Sequence, residues 1–279
     1  MSAYATGRVE SADGTTIGFR RLGSGPAVVL VHGGMLAAQN LMTLATILSD
    51  EFEVFVPDRR GRGPSGPHGD RYGVAREVED LQALVAASGA ARIFGLSSGG
   101  LASLRTALET PALRRVALYE PPLAVRGSAP VDWVRRYDRE IDAGDPISAL
   151  VTAMRGLGTE PVMGRVPRFA LTAAFRLGMR FQSTAADEVP IIDLVPTEHY
   201  DMQLVREMAD TADDYAALSA DVLLLSGARS PGYLTTALDE LARVLPHHRR
   251  VTFPGLRHDG PENDGDPARV AVELRTFFR

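Results

Sequence analysis

The sequence of this 279-residue chain predicts an α/β fold, with a mostly parallel eight-stranded sheet and helices on both of its faces. Strand-like apolar runs alternate with amphipathic helical patterns in the first and last parts of the chain, which is the rhythm of strand–helix–strand units. From residue 121 to 219 this rhythm stops and only helical patterns remain. We therefore expect one core domain, residues 1–120 and 220–279, interrupted by a helical cap at residues 121–219.

The individual elements follow from local patterns. Alternating apolar residues at Thr16–Arg21, after an Asp13-Gly14 turn, predict a β-hairpin that starts near Thr6. Apolar runs of strand length predict six more strands, at Ala27–Val31, Phe52–Val56, Arg92–Leu96, Val116–Tyr119, Val222–Leu225 and Arg250–Phe253. Apolar residues at helical spacing predict core helices around Leu41–Leu48, Tyr72–Ala87, Ser98–Leu108, Leu234–Leu245 and Pro267–Phe278. The same spacing predicts cap helices at Val131–Ile141, Pro146–Met154, Pro167–Phe181 and His199–Leu218.

Composition excludes several classes of chemistry. All 30 basic residues are arginine, so the chain has no lysine for a Schiff base or a phosphate-binding P-loop. It has no cysteine, which excludes a thiol nucleophile, a thiolate metal site and a disulfide. The six histidines include no H-E-x-x-H pair. We expect a reaction that needs no cofactor and no metal.

Charge and hydropathy limit the partners. The net charge of −5, without a basic stripe, argues against nucleic acid. The apolar runs are too short to span a bilayer, and the first ten residues lack the features of a signal peptide. We therefore expect a cytoplasmic protein that acts on a small molecule, and its oligomeric state stays open.

The strongest motif is the G-x-S-x-G sequence Gly95-Leu96-Ser97-Ser98-Gly99, between a predicted strand and a predicted helix. A strand that turns sharply into a helix places one side chain at the apex, and a Cβ on a flanking residue would crowd that turn. This setting predicts Ser97 as a nucleophile. Ser98 is the rival candidate, but its flanking residues include Leu96, so the tight turn is missing on one side.

A second motif, His32-Gly33-Gly34, follows the first apolar strand. A glycine-rich turn at this point can present backbone N–H groups to a developing oxyanion. We predict the N–H groups of Gly34 and Ser98 as the two donors, with Met35 as the alternative to Gly34. His32 is predicted to be structural.

With these motifs, the chain resembles the α/β-hydrolase superfamily over nearly its whole length. The matching segments are His32–Gly34, Asp58–Ser65, Gly95–Gly99 and Pro254–His258. The second of them is similar to the family's D-x-R-G-x-G-x-S turn, which mainly shapes the core. The resemblance implies a serine hydrolase whose substrate the motifs do not specify.

The resemblance also selects His258 as the catalytic histidine, because the family's histidine lies in a loop after the last strand. The sequence supports this independently: His258 follows a predicted strand in a Gly/Pro-rich loop before the final helix. His247, His248 and His68 are predicted to be solvated surface residues. His199 lies in the cap, where a role outside the site is favoured over substrate contact.

The third member of the triad departs from the commonest family pattern. Many relatives carry an aspartate where this chain has Ser230, and a serine cannot hold a charge against an imidazolium. Glu120 ends the strand Val116–Tyr119, a position from which zearalenone-type lactonases and certain haloalkane dehalogenases take their acid. We predict Glu120 as the acid. Asp259, or no acid at all, remains the alternative.

The expected reaction is cleavage of an ester, lactone or thioester of a mainly apolar small molecule through an acyl-enzyme. The predicted substrate-binding residues are Met35, Trp133, Met154 and Phe175. The same triad could also cleave carbon–carbon bonds or carry out perhydrolysis. A non-hydrolytic role in small-molecule binding or biosynthesis is a further alternative, since fold does not determine function.

Overall fold

The computed structural model describes residues 4–159, 161–179, 181 and 184–279, and in these residues eight strands form one sheet. The order across the sheet is β1-β2-β4-β3-β5-β6-β7-β8. The strands are β1 (Ala5–Glu10), β2 (Thr16–Leu22), β3 (Ala27–Val31), β4 (Glu53–Pro57), β5 (Arg92–Leu96), β6 (Arg115–Tyr119), β7 (Asp221–Gly227) and β8 (His248–Phe253). β1 and β2 form an antiparallel hairpin, β2 pairs antiparallel with β4, and β3 to β8 are parallel. The predicted α/β class with a mostly parallel sheet is confirmed.

The central strands are buried on both faces, which explains why they appear in the sequence as continuous apolar runs. Successive residues of β3, β5, β6 and β7 point alternately into two buried clusters. One cluster is shared with the helices α2 (Val74–Ser88), α3 (Ser98–Glu109) and α10 (Gly232–Val244). The other is shared with α1 (Met42–Leu48) and α11 (Pro267–Phe278). The bounds of these five helices lie within two residues of the predicted ones.

The segment between β6 and β7, called the cap segment here (residues 121–219), contains helices joined by loops in its described residues. Its helices are α4 (Val134–Asp142), α5 (Pro146–Leu157), α6 (Pro161–Arg165), α7 (Arg168–Met179), α8 (Ile191–Leu194) and α9 (Glu198–Glu207). Residue 180, inside one predicted helix, lies outside the described residues. None of the helices in the described part of the chain is long and apolar enough to cross a membrane.

One cap helix differs from its prediction. The sequence pattern predicts a single helix over His199–Leu218, whereas α9 ends at Glu207 and a separate 3₁₀ helix follows at Ala212–Ala217. Between them Asp210 adopts a left-handed conformation, with φ of +59°, and its N–H donates to Ala124 O. A residue in this conformation interrupts an α-helix, so apolar spacing alone joined two elements that the backbone separates.

Candidate active site

Ser97 lies at the apex of the turn between β5 and α3, with φ of +54° and ψ of −126°. Its N–H donates to Tyr119 O at 2.9 Å, which fixes the turn to the end of β6. Neither flanking glycine has room for a side chain. A Cβ on Gly95 would lie 2.5 Å from Gly99 O, and one on Gly99 would lie 2.7 Å from Val31 O. The strained left-handed Ser97 is therefore held by packing on both sides.

The two adjacent serines have different environments. Ser98 is 3% exposed, and its hydroxyl donates to Asp201 Oδ1 at 2.8 Å and accepts a hydrogen bond from Arg59 Nη1 at 3.1 Å. Ser97 is partly exposed on the wall of a cavity. Of the two hydroxyls, only that of Ser97 is free to meet a ligand.

Glu120 and His258 lie in contact although 138 residues separate them. Nδ1 of His258 is 2.6 Å from Oε2 of Glu120, and the other carboxylate oxygen accepts the N–H of Gly227 at 2.7 Å. Glu120 is fully buried and has φ of +49°. Its position follows from the sheet, because Tyr119 pairs with Leu96 of β5 on one side and with β7 on the other. The carboxyl thus lies one strand away from the Ser97 turn.

The loop after β8 carries His258 to the same edge of the sheet. The hydroxyl of Tyr119 donates to Arg257 O at 2.7 Å, which fixes the backbone beside His258. The imidazole is 17% exposed and borders the cavity that Ser97 also lines. Asp259 lines the cavity too, but among the described residues only Glu120 hydrogen-bonds the imidazole. Ser230 Oγ is buried and has no hydrogen-bond partner in the described part of the chain.

Two backbone N–H groups near Ser97 point to a possible oxyanion site. In the described residues, neither Gly34 N–H nor Ser98 N–H has an acceptor. Ser98 begins α3, where the first N–H groups are unpaired and the helix dipole favours negative charge. Met35, the alternative donor, has φ of +50°. His32 makes backbone contacts: Nδ1 donates to Gly33 O at 2.9 Å and Nε2 accepts the N–H of Arg59 at 3.1 Å.

The cavity at Ser97 has a volume of about 560 Å³ and lies between the sheet edge and the cap segment. Its wall includes three of the four predicted substrate-binding residues, Met35, Met154 and Phe175. Trp133 differs from the prediction, because it is not among the residues that border the cavity. Its indole N–H donates to Pro130 O at 2.8 Å, and its ring packs edge-on against Tyr137. Trp133 is a packing residue of the cap segment.

Among the remaining histidines, the surface prediction for His68 is wrong. Its side chain is 8% exposed and stacks on Tyr200 with ring centroids 3.5 Å apart. Burial, together with the nearby Arg62, lowers the pKa of His68 to about 4. His247 and His248 are exposed as predicted. The exposed His199 pairs with Asp138 and does not line the cavity.

The cavity wall also contains two acidic residues that the sequence analysis did not single out, Glu198 and Asp201. Asp201 accepts hydrogen bonds from Arg59 and Arg62 in addition to Ser98. Burial would raise the pKa of Asp201, but the two guanidinium groups lower it to about 2. The spacing of these two acids could have indicated that they are buried. They are three residues apart and therefore lie on the face of α9 that also carries the buried Met202 and Val205.

The chain resembles known proteins in both sequence and structure. A model of the alpha/beta hydrolase family matches residues 28–273. The crystal structure of an alpha/beta hydrolase from Sphaerobacter thermophilus is 33% identical, with a TM-score of 0.77, over 98% of this chain and 100% of that chain.

Two curated relatives match part of the chain. An N-formylmaleamate deformylase from Pseudomonas putida is 35% identical over 133 residues, 46% of this chain and 49% of the relative. A pimeloyl-[acyl-carrier protein] methyl ester esterase from Xanthomonas campestris pv. campestris is 35% identical over 121 residues, 43% of this chain and 46% of the relative. The chain spans about half the length of these curated relatives. The family match over most of the sequence shows that the chain belongs to the alpha/beta hydrolase family.

Proposed function

We propose that this protein is a serine hydrolase that cleaves an ester, lactone or thioester of a mainly apolar small molecule through an acyl-enzyme. The observation that carries the proposal is the contact between His258 and the buried Glu120 at the rim of the cavity that Ser97 lines. A nucleophile at a strained turn, a histidine and a buried orienting carboxylate are the parts that acyl transfer requires.

In the acylation step, His258 takes the proton from the Ser97 hydroxyl as its oxygen attacks the acyl carbon. Glu120 holds the imidazole with the proton on Nδ1, which leaves Nε2 free to act as the base. The carboxylate also stabilises the imidazolium that forms. The backbone N–H groups of Gly34 and Ser98 donate to the oxyanion, and His258 then returns the proton to the leaving group.

In the deacylation step, the same imidazole removes a proton from water, which attacks the acyl carbon of the Ser97 ester. The second tetrahedral intermediate uses the same N–H donors. Collapse of that intermediate breaks the bond to Ser97, and the proton returns to the serine oxygen. The cycle needs only side chains and backbone N–H groups of this chain, and water.

The wall of the cavity supports a mainly apolar acyl group. Most of the side chains from the cap segment that border it are aliphatic, thioether or aromatic groups, among them Leu150, Met154, Phe175, Met179 and Ile191. A volume of about 560 Å³ is within the range of small-molecule sites, roughly 300–1,000 Å³. The methyl ester esterase among the curated relatives is in keeping with an ester substrate.

The proposal is tested with an alkyl fluorophosphonate, which reacts with an activated serine. We expect one adduct, mapped by peptide mass spectrometry to Ser97, and no adduct on Ser97→Ala. Ser98→Ala is the matched control and should keep the label on Ser97, because it preserves the backbone N–H and removes only a hydroxyl bonded to Asp201 and Arg59.

A panel of p-nitrophenyl esters of increasing chain length, alongside lactones and thioesters, then identifies the acyl class. We expect turnover that Ser97→Ala abolishes. An adduct on another residue, or Ser97→Ala turnover equal to that of the wild type, would contradict the proposal.

A further inference from the structure

A second carboxyl group on the cavity wall, that of Glu198, has no hydrogen-bond partner among the described residues. Glu198 is the first residue of α9 and is 4% exposed. Asp201, one helical turn further on, is by contrast hydrogen-bonded to Ser98, Arg59 and Arg62. A nearly buried polar group without a partner in the protein, facing a ligand cavity, is a candidate to bind the ligand.

Charge balance around Glu198 determines its protonation state. Arg59 and Arg62 are matched by two carboxylates, Glu77 and Asp201, so no unpaired cation remains for a third. Burial, and after it the adjacent Asp201, raises the pKa of Glu198 well above its ordinary range, although the two arginines oppose the shift. The N-terminus of α9 favours an ionised carboxyl only weakly. These surroundings favour the protonated, neutral form of the Glu198 carboxyl.

The other elements around Glu198 contribute two phenols. Tyr137 on α4 and Tyr233 on α10 are the remaining titratable groups that interact with it, and the Glu198 carboxyl contributes to the raised pKa of each. The Tyr137 hydroxyl is bonded to Val195 O. In the described part of the chain, the titratable groups that interact with Glu198 are thus its acidic neighbour, the two arginines and the two phenols, and His258, Asp259 and Glu262 line the same cavity.

The glycine turn after β3 lies between Glu198 and the nucleophile. A Cβ on Gly33 would lie 2.9 Å from the Ser97 Cβ, whereas a Cβ on Gly34 would overlap Oε2 of Glu198. The Glu198 carboxyl therefore lies in the space that a side chain at position 34 would occupy. An acyl oxygen held by the Gly34 N–H would therefore bind at the residue that this carboxyl contacts.

We propose that Glu198 is a third donor to the substrate oxygen at this turn, with its carboxyl O–H hydrogen-bonded to the acyl oxygen that becomes the oxyanion. The inference rests on the proposed function, with Ser97 as nucleophile. A carboxylic acid that its surroundings keep neutral can serve as such a donor. The hydrogen bond strengthens as negative charge develops on the oxygen, so it accelerates acylation.

Ionisation of Glu198 should make the rate of acylation depend on pH. When Glu198 ionises at alkaline pH, the donor is lost and a negative charge stands beside the developing oxyanion. Glu198→Gln keeps an N–H donor that cannot ionise, whereas Glu198→Ala has no donor. The two variants therefore separate hydrogen bonding from ionisation.

The test is the second-order rate of Ser97 labelling by the alkyl fluorophosphonate, whose P=O oxygen occupies the oxyanion site, measured from neutral to alkaline pH. Turnover of p-nitrophenyl butyrate, followed at the isosbestic wavelength of p-nitrophenol, is the second readout. We expect wild-type labelling to fall at alkaline pH and Glu198→Gln to keep most of the neutral rate without that fall. Glu198→Ala should label on the order of 10²–10³ times more slowly. Glu10→Gln, on the exposed edge strand β1, should retain the wild-type profile.

Two results would overturn the inference: a Glu198→Ala rate within about threefold of the wild type, or a Glu198→Gln profile that keeps the alkaline fall. If Glu198→Ala does not fold, as judged by circular dichroism, the Glu198→Gln profile still decides. Failure of the proposed function is distinct, because then the wild type itself is not labelled at Ser97. If the wild type is active and labelled but the Glu198 variants behave like it, only this inference is rejected.

Discussion

Oε2 of Glu120 lies 2.6 Å from Nδ1 of His258, across the carboxyl ends of β6 and β8. The second oxygen of the same carboxylate is bonded to the N–H of Gly227, at the end of the strand β7 between them. The carboxylate therefore fixes the imidazole ring to the sheet.

We expect Glu120→Gln to lower kcat/KM by at least about a hundredfold without unfolding the protein. In the serine proteases the equivalent amide costs on the order of 10⁴ in kcat, because the wrong histidine tautomer is favoured. The measurement is turnover of the best p-nitrophenyl ester, with circular dichroism as the check on folding. Ser230→Ala is the control and should cost little. Near-wild-type activity of Glu120→Gln, combined with loss of activity in Asp259→Asn, would reassign the acid to Asp259.

We expect Gly99→Ala to remove labelling of Ser97 and to lower the free energy of unfolding by at least about 2 kcal/mol, because the added Cβ meets backbone rather than a movable side chain. Gly178→Ala is the contrasting variant: its Cβ meets no atom of the described residues within 4 Å, so helix propensity should raise stability by about 0.5–1 kcal/mol. Urea denaturation measures both. Equal free energies of unfolding for the two variants would contradict the prediction, because the turn would then accommodate the added Cβ at Gly99.

The buried ion pair of Arg59 and Glu77 leads to a stability prediction. Both side chains are 1% exposed, and they form two hydrogen bonds of 2.9 Å. Glu77→Gln leaves the Arg59 charge undercompensated and should lower the free energy of unfolding by about 3 kcal/mol or more. Asp213→Asn, which breaks an exposed pair with Arg243, should change it little. Unfolding of both variants at the same urea concentration would contradict the prediction.

His68 should make stability depend on pH. Because its pKa is lowered to about 4 in the folded chain, from an ordinary value of 6.5, the unfolded chain binds the proton first as pH falls. The contribution of His68 to the free energy of unfolding is therefore fully present above pH 6.5. It is lost as pH falls toward 4, by about 1.4 kcal/mol per pH unit.

His68→Phe keeps a ring to stack on Tyr200 and removes the titration. Its free energy of unfolding should fall less steeply between pH 6.5 and 4 than that of the wild type. Parallel pH profiles would exclude His68 as the source of the slope.

Features that depend on neighbouring residues can be predicted from the sequence. Continuous apolar runs located the central strands because those strands are covered on both faces. Gly95 and Gly99 marked the turn at Ser97. The steric requirement at Gly95 is local, because an added Cβ would meet Gly99 and Gly100, whereas the requirement at Gly99 comes from the backbone of Val31 and His32 in the distant segment at the end of β3. The position of Glu120 at the end of β6 was likewise readable from the run that precedes it.

Contacts between side chains from distant segments became known only from the folded structure. The contact of Glu120 with His258 joins residues 138 positions apart, and the sequence left Asp259 as an alternative. His68 was expected at the surface because its own neighbours are polar or turn-forming, yet Tyr200 from α9 covers it. Glu198 was not predicted as a site residue for the same reason. Helical spacing shows that one face of α9 is buried, but it does not show that this face packs against the glycine turn after β3. The physical reason is that local sequence sets backbone conformation and burial, whereas the partner of a buried side chain is supplied by a distant segment.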